Sequence, residues 1–316
     1  MAERGTRRLW QAIAFISPNL LIFGGFTLIP VVATLVMSLY AWDPFTPPQF
    51  VGFANFNRAL GDAQFWYYLG NTLVFLLGLP LSMAGALALA VALHQRLRGR
   101  VLYRTVFYLP TVTSGVALFL LWKMMFNKES GLINALVLPL LRLVGVEAGA
   151  DGHLITMADM PDWLKDHAQV LGMEIALAKP ALIAMGVWGA IGGGAMLLYL
   201  AALSGVPPEL YEAAEIDGAG RWRRFWTITW PMIAPTTFFI LVTGVIGGLQ
   251  GGFEMAYLMT QGGPDGATTT IGYHIFVKAF FENQFGYAAA VSVILFAFIA
   301  VITAANWRFG SKAGSW

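Results

Sequence analysis

The sequence contains no cysteine, which excludes disulfides, thiolate metal sites and cysteine nucleophiles. Charge is nearly as scarce. Only 11% of the 316 residues are Asp, Glu, Lys or Arg, against roughly a quarter in a soluble domain. The phosphate-cradling pattern G-x-x-x-x-G-K-[ST] is missing, so the chain carries no P-loop for ATP hydrolysis of its own. The histidines His94, His153, His167 and His274 are scattered without metal-ligand spacing. His94, just before Arg96, reads as an interfacial residue. No Ser/His or paired-Asp set falls inside an apolar stretch, as a membrane protease would require. Enzymatic activity, a bound cofactor and a metal site are therefore not expected of this chain, nor is nucleic acid expected as a partner.

What is abundant is apolar: 58% of residues are hydrophobic and 14% aromatic, with a mean hydropathy of +0.67. Six windows, Leu9–Trp42, Ala63–Leu93, Thr105–Trp122, Pro180–Pro208, Phe225–Phe253 and Asn283–Trp307, contain no Asp, Glu, Lys or Arg. Each approaches or exceeds the ~18–20 apolar residues that carry a helix across ~30 Å of hydrocarbon. In lipid the backbone must satisfy its own hydrogen bonds, and windows this long do so as helices rather than barrel strands. The first window is too long for the apolar region of a signal peptide. The expectation is an all-α membrane protein in one domain over residues 1–316, with six spans near 11–40, 66–93, 104–126, 179–204, 233–259 and 285–307.

Charge asymmetry orients the spans. Arg4, Arg7 and Arg8, then Arg96, Arg98, Arg100 and Arg104, then Arg221, Arg223 and Arg224, and finally Arg308 and Lys312 fall on one side, twelve of the 19 basic residues. The positive-inside rule makes that side, with both termini, cytoplasmic. Trp10, Trp42, Trp66, Trp122 and Trp307 lie near window ends, as interfacial tryptophans do.

Between the third and fourth spans, residues 127–178 form an acidic external insertion, in which "GLINALVLPLLRL" has helical apolar spacing. Two readings stand side by side: a solvated linker, or a docking surface for an extracytoplasmic protein over Asp151–Asp166. The fourth span carries Gly186, Gly189, Gly192, Gly193 and Gly194, small residues that let helices approach closely.

The least expected stretch is Val206–Pro231, "VPPELYEAAEIDGAGRWRRFWTITWP". It holds four acids and three arginines in a chain otherwise poor in charge. Pro207 and Pro208 suit a helix start, acids follow in the first turns where the dipole favours them, and Gly218 and Gly220 interrupt the helix before "RWRRFWTIT". A cytoplasmic helix–turn–helix with a small-residue face results.

Glu212, Ala213, Ala214, Gly218, Ile228 and Pro231 stand in register with the signature loop of permease subunits of ABC importers, with Trp230 where a leucine is usual. The chain resembles that family from Asn71 onward. "YRTVFYLPTVTSGVALFLLWKMMF", "GLINAL", "YLMTQGGPDGATTTIGYHIF" and "AFFENQFGYAAAVSVILF" are similar to its carbohydrate branch, the maltose-type and glycerol-phosphate-type permeases. Around His153–Leu177 the usual short "WL-DP" continuation is reduced to Trp163, Leu164 and Asp166.

The resemblance implies an inner-membrane, multi-pass subunit that moves an oligosaccharide or related polyol. It also implies partners: a second permease chain of different sequence, a cytoplasmic ATPase dimer that holds ATP and Mg, an extracytoplasmic solute-binding protein, and membrane lipid. Glu212, Ala213, Ala214, Asp217 and Gly218 become the ATPase-coupling loop.

For the substrate path, Gly247, Gly248, Gly251 and Gly252 make the fifth span breakable. Gln250, Phe253, Glu254 and Tyr257 beside them supply polar groups and aromatic faces, and Asn71 with Thr72 on the second span are further candidates. Glu254 also reads as a carboxylate at the outer interface. An ATP-independent channel or secondary transporter is the alternative function.

Overall fold

The computed structural model describes residues 2–95, 98–113, 115–143, 156–170 and 172–310. They are mostly helical. Four helices are long and apolar enough to cross a membrane: Ile13–Met37, Ala63–His94, Arg221–Gln250 and Phe285–Arg308. Two further pairs qualify only when joined. Arg100–Val112 and Gly115–Met125 meet at 95°, and Ala178–Ile191 and Gly194–Ser204 at 40°. Counting each pair as one crossing gives up to six. The sequence signals no break in the third window, yet the helix there stops at Thr113, where the backbone turns extended (ψ 138) three residues after Pro110.

Two compact units divide the chain, one of residues 1–65 with 275–298, the other of residues 66–274 with 299–316. In the first, no residue from Ile13 to Met37 is buried. This helix changes to π spacing over Gly24–Leu28, directly before Pro30. Phe225–Thr229 does the same before Pro231. A proline ring collides with the carbonyl four residues earlier, and a wider turn at that point relieves the collision. The first unit also ties the segment after the first long helix to the last one. Asn55, buried, donates Nδ2 to the Ser38 and Tyr40 carbonyls at 3.0 and 2.9 Å, and Arg58 lies 4.5 Å over the Tyr287 ring.

The second unit packs three helices around Ala86, Ala90, Met196, Tyr199, Ile233 and Ile240. Lipid removes the hydrophobic incentive for helices to associate, so close van der Waals fit must supply it. The glycines of the fourth span divide accordingly. A Cβ on Gly192 would run into the Phe107 backbone, whereas one on Gly186 or Gly194 would meet nothing within 4 Å. Packing accounts for the first and leaves open space before the other two.

In the insertion, the expected helix is present as Leu132–Leu143. A hairpin of His167–Val170 and Met173–Ala176 accompanies it, a feature absent from the sequence reading. Asn134 ties the helix to chain on either side of it. Its Nδ2 donates to the carbonyls of Lys128 and Pro161 at 3.0 and 3.1 Å, and its Oδ1 accepts the Trp163 indole N–H at 2.6 Å.

Candidate functional site

The polar stretch folds as helix, turn, helix. Proline opens Pro208–Ile216. At its other end the amide of Ala219 reaches back to the Ala214 carbonyl at 2.8 Å, and that of Gly218 to Glu215 at 3.0 Å. This pair of bonds is the Schellman closure, which needs a left-handed residue at its centre, and Gly218 supplies it with φ +74. Gly220 then starts the helix that begins at Arg221. Two side-chain links fix the angle between the arms: Arg224 pairs with Glu215 at 2.9 Å, and the Tyr211 and Thr229 hydroxyls meet at 2.8 Å.

The exposed side of the short helix carries Glu209, Glu212 and Glu215 three residues apart, with Ala213 between them. Ala214 is half-buried, Asp217 and Gly218 are exposed, and Ile216 leaves 87% of its surface uncovered. Among the described residues Glu212 has no hydrogen bond or ion pair. A free carboxylate, a small flat patch and an uncovered apolar tip on a braced turn are the features of a contact surface.

At the far end of Arg221–Gln250 the helix stops at the expected glycines. Gly251 closes it with a bond to the Gly247 carbonyl at 2.8 Å, and Gly252 takes φ +86. Helical structure resumes at Phe253. Phe253 and Tyr257 stack with centroids 5.7 Å apart and planes at 11°, and Tyr273 closes the group at 6.4 and 6.2 Å. Glu254 is exposed. Its Oε2 lies beside Gly115, 3.3 Å from where a Cβ would stand. Gly115 begins the helix Gly115–Met125, whose positive dipole end favours a carboxylate there.

A cavity of about 330 Å³ opens at this break, walled by Thr72, Phe75, Phe119, Gly251, Gly252 and Thr270 among others. A second, of about 720 Å³, shares Phe119 and extends past Thr111, Thr113 and Gly194. Of the residues picked from sequence, Thr72 walls the first cavity, while Asn71, Gln250, Phe253, Glu254 and Tyr257 only border it. Gln250 sits exposed at the helix end. Asn71 is buried, and its amide donates to the Gly266 and Thr269 carbonyls at 2.9 and 3.1 Å. It holds the 262–270 loop in place. Thr72 beside it accepts the Ile271 amide at 3.0 Å and does reach the cavity. Thr270, Thr111 and Thr113 carry no sequence signal, because polar residues in apolar windows look alike until the helices are packed.

The acids of the insertion also have local duties. Asp159 accepts from the backbone and hydroxyl of Thr156, both at 2.9 Å. Asp166 accepts the Asp162 amide at 2.8 Å, and Asp162 pairs with Lys165 at 3.4 Å. Asp151 lies outside the described residues.

Comparison with known proteins fits this arrangement. Residues 78–309 match the family described as "Binding-protein-dependent transport system inner membrane component". The probable ABC transporter permease protein YesP of Bacillus subtilis (strain 168) is 35% identical over 92% of this chain and 87% of its own length. The sn-glycerol-3-phosphate transport system permease protein UgpA of Agrobacterium fabrum is 33% identical over 94% and 93%. The lactose transport system permease protein LacF of Rhizobium radiobacter is 34% identical over 92% and 90%. A chain in the crystal structure of a bacterial ABC transporter involved in the import of the acidic polysaccharide alginate superposes with a TM-score of 0.79, covering 98% of both chains at 23% identity, and so shares the fold. By the family match over residues 78–309 and by relatives at 33–35% identity over nearly its whole length, this chain belongs to the family of inner-membrane components of binding-protein-dependent transport systems.

Proposed function

We propose that this chain forms one half of the translocation path of an ATP-driven importer for a carbohydrate, a sugar oligomer or related polyol, crossing the membrane six times with both termini in the cytoplasm. ATP is hydrolysed on a separate ATPase dimer, a second and different permease chain completes the path, and a solute-binding protein delivers the ligand from outside. Relatives named for lactose and for sn-glycerol 3-phosphate support the substrate class.

The observation that carries the reading is the braced turn at Glu212–Gly218. Alternating access must shift an equilibrium from about 1:99 to 99:1, which takes roughly 5.5 kcal/mol of differential binding. Energy released on another subunit reaches the path only through contact, and Glu212, Ala213, Ala214, Asp217 and Gly218 present the contact surface. The Arg224–Glu215 pair and the Tyr211–Thr229 bond join that surface to the helix Arg221–Gln250. That helix ends at the Gly251–Gly252 break beside the cavity, where Phe253 and Tyr257 offer aromatic faces to a sugar ring and Gln250 and Glu254 polar groups. Displacement at the loop therefore arrives where the path is lined.

Glu212→Ala and Gly218→Asp are expected to abolish uptake, or to leave ATP hydrolysis running without it, while the protein remains inserted. Normal ATP-driven uptake in both variants refutes the coupling role. Uptake that persists in the absence of the ATPase subunit favours an ATP-independent channel instead.

A further inference from the structure

Behind the helix–turn–helix lies a cavity of about 260 Å³ that is no part of the proposed substrate path. Leu203 gives it an apolar wall, while Arg221, Arg224 and His94 line another side, and the paired hydroxyls of Tyr211 and Thr229 complete the polar part. Among the described residues no carboxylate lines it. Arg224 is already engaged by Glu215 at 2.9 Å, but Arg221 has no carboxylate partner among the described residues. Two guanidiniums, an imidazole and two hydroxyls around one small space have an excess of donors and positive charge, and a phosphate group supplies the missing acceptors and charge.

The depth of this cavity narrows the choice of phosphate. His94 ends the apolar helix Ala63–His94, and Arg221 begins Arg221–Gln250. The cavity therefore lies where two long apolar helices give way to charged chain, the level of lipid headgroups. Trp222, Trp226 and Trp230 run along the second helix four residues apart, 74%, 47% and 36% exposed. Their rings touch in series at 5.7 and 5.6 Å. Phe225, from the cavity wall, meets the Trp226 ring at 5.2 Å. Indoles favour the membrane–water interface, with the ring in the acyl boundary and the N–H toward water. A basic phosphate-sized cavity continuous with a column of exposed tryptophans accommodates a charged headgroup and, beside it, the start of its acyl chains.

We propose that this cavity binds a phosphate-bearing anion, and that its carrier is an anionic glycerophospholipid seated against the Trp222–Trp226–Trp230 column.

The test is native mass spectrometry of the full chain, in whatever assembly it purifies with, given phosphatidylglycerol or phosphatidylcholine at equal concentration. Wild type is expected to retain phosphatidylglycerol at least severalfold more than phosphatidylcholine. Removing the Arg221 charge (Arg221→Gln) should lower that preference about fivefold, and His94→Gln removes the imidazole donor as well, so that the double variant approaches parity. Equal retention of the two lipids by wild type overturns the proposal, whether or not any variant folds. Displacement of phosphatidylglycerol by millimolar inorganic phosphate overturns the lipid as carrier and assigns the cavity to a soluble phosphate ester. Retention of the preference in the double variant, with Trp222→Ala also silent, overturns the cavity as the site and leaves the exposed column to a protein partner.

Discussion

Gly218 and Gly252 both end a helix with a positive φ, +74 and +86, yet they do so for different reasons. Around Gly218 an added Cβ would meet nothing within 4 Å, whereas at Gly252 it would stand 2.7 Å from the Thr270 methyl group. The first glycine is required by backbone conformation alone. The second is required by conformation and by a neighbour contributed from another part of the chain. A helix end on the surface is thus written in its own few residues. A helix end at the cavity is written partly in the loop that packs on it.

Substitutions separate the two cases. Gly252→Val should have the largest effect: it adds about 1–2 kcal/mol of left-handed strain to a clash costing about 1–3 kcal/mol. The melting temperature of the detergent-solubilised chain should fall clearly, and a compensating Thr270→Ser should restore part of it. No recovery would mean that the Thr270 contact is irrelevant. Gly218→Ala should cost only the conformational share, about 1 kcal/mol, with no single neighbour able to rescue it. The smallest effect belongs to the brace. A double-mutant cycle on Arg224→Gln and Glu215→Gln should return a coupling of about 0.2–1 kcal/mol, the range of partly exposed pairs, although uptake should fall more steeply than stability. Equal losses in both would make the pair a stabilising contact with no part in transmission.

The spread between these regions also explains what could be read from sequence. The apolar windows, the acidic helix and the Gly218 turn depend on neighbours a few residues away, and their signals are correspondingly local. The glycine break at 251–252 was visible as a capacity, because clustered glycines weaken any helix. Thr72 apart, its walls were not. Thr72 and Thr270 face the same space from nearly 200 positions apart in sequence, and Asn71 looked available for a ligand until its amide was found on the Gly266 and Thr269 carbonyls. The stop at Thr113 had only Pro110 to announce it, and prolines are tolerated in apolar helices too often to mark a break. In the insertion, Asp159 and Asp166 read as free charges by composition, while the structure gives each a backbone partner. Charge counts see the sign of a group but not whether its lone pairs are occupied.

The helix Arg221–Gln250 has 30 residues, and at 1.5 Å per residue it is about 45 Å long. A rod of that length pivoting near its middle moves each end by about 2 Å for a tilt of only about 5°. That is more than half the diameter of a water molecule. A change in the space by Gly252 would therefore ask for no refolding at the loop end, only a small rocking motion whose amplitude scales with the length of one helix.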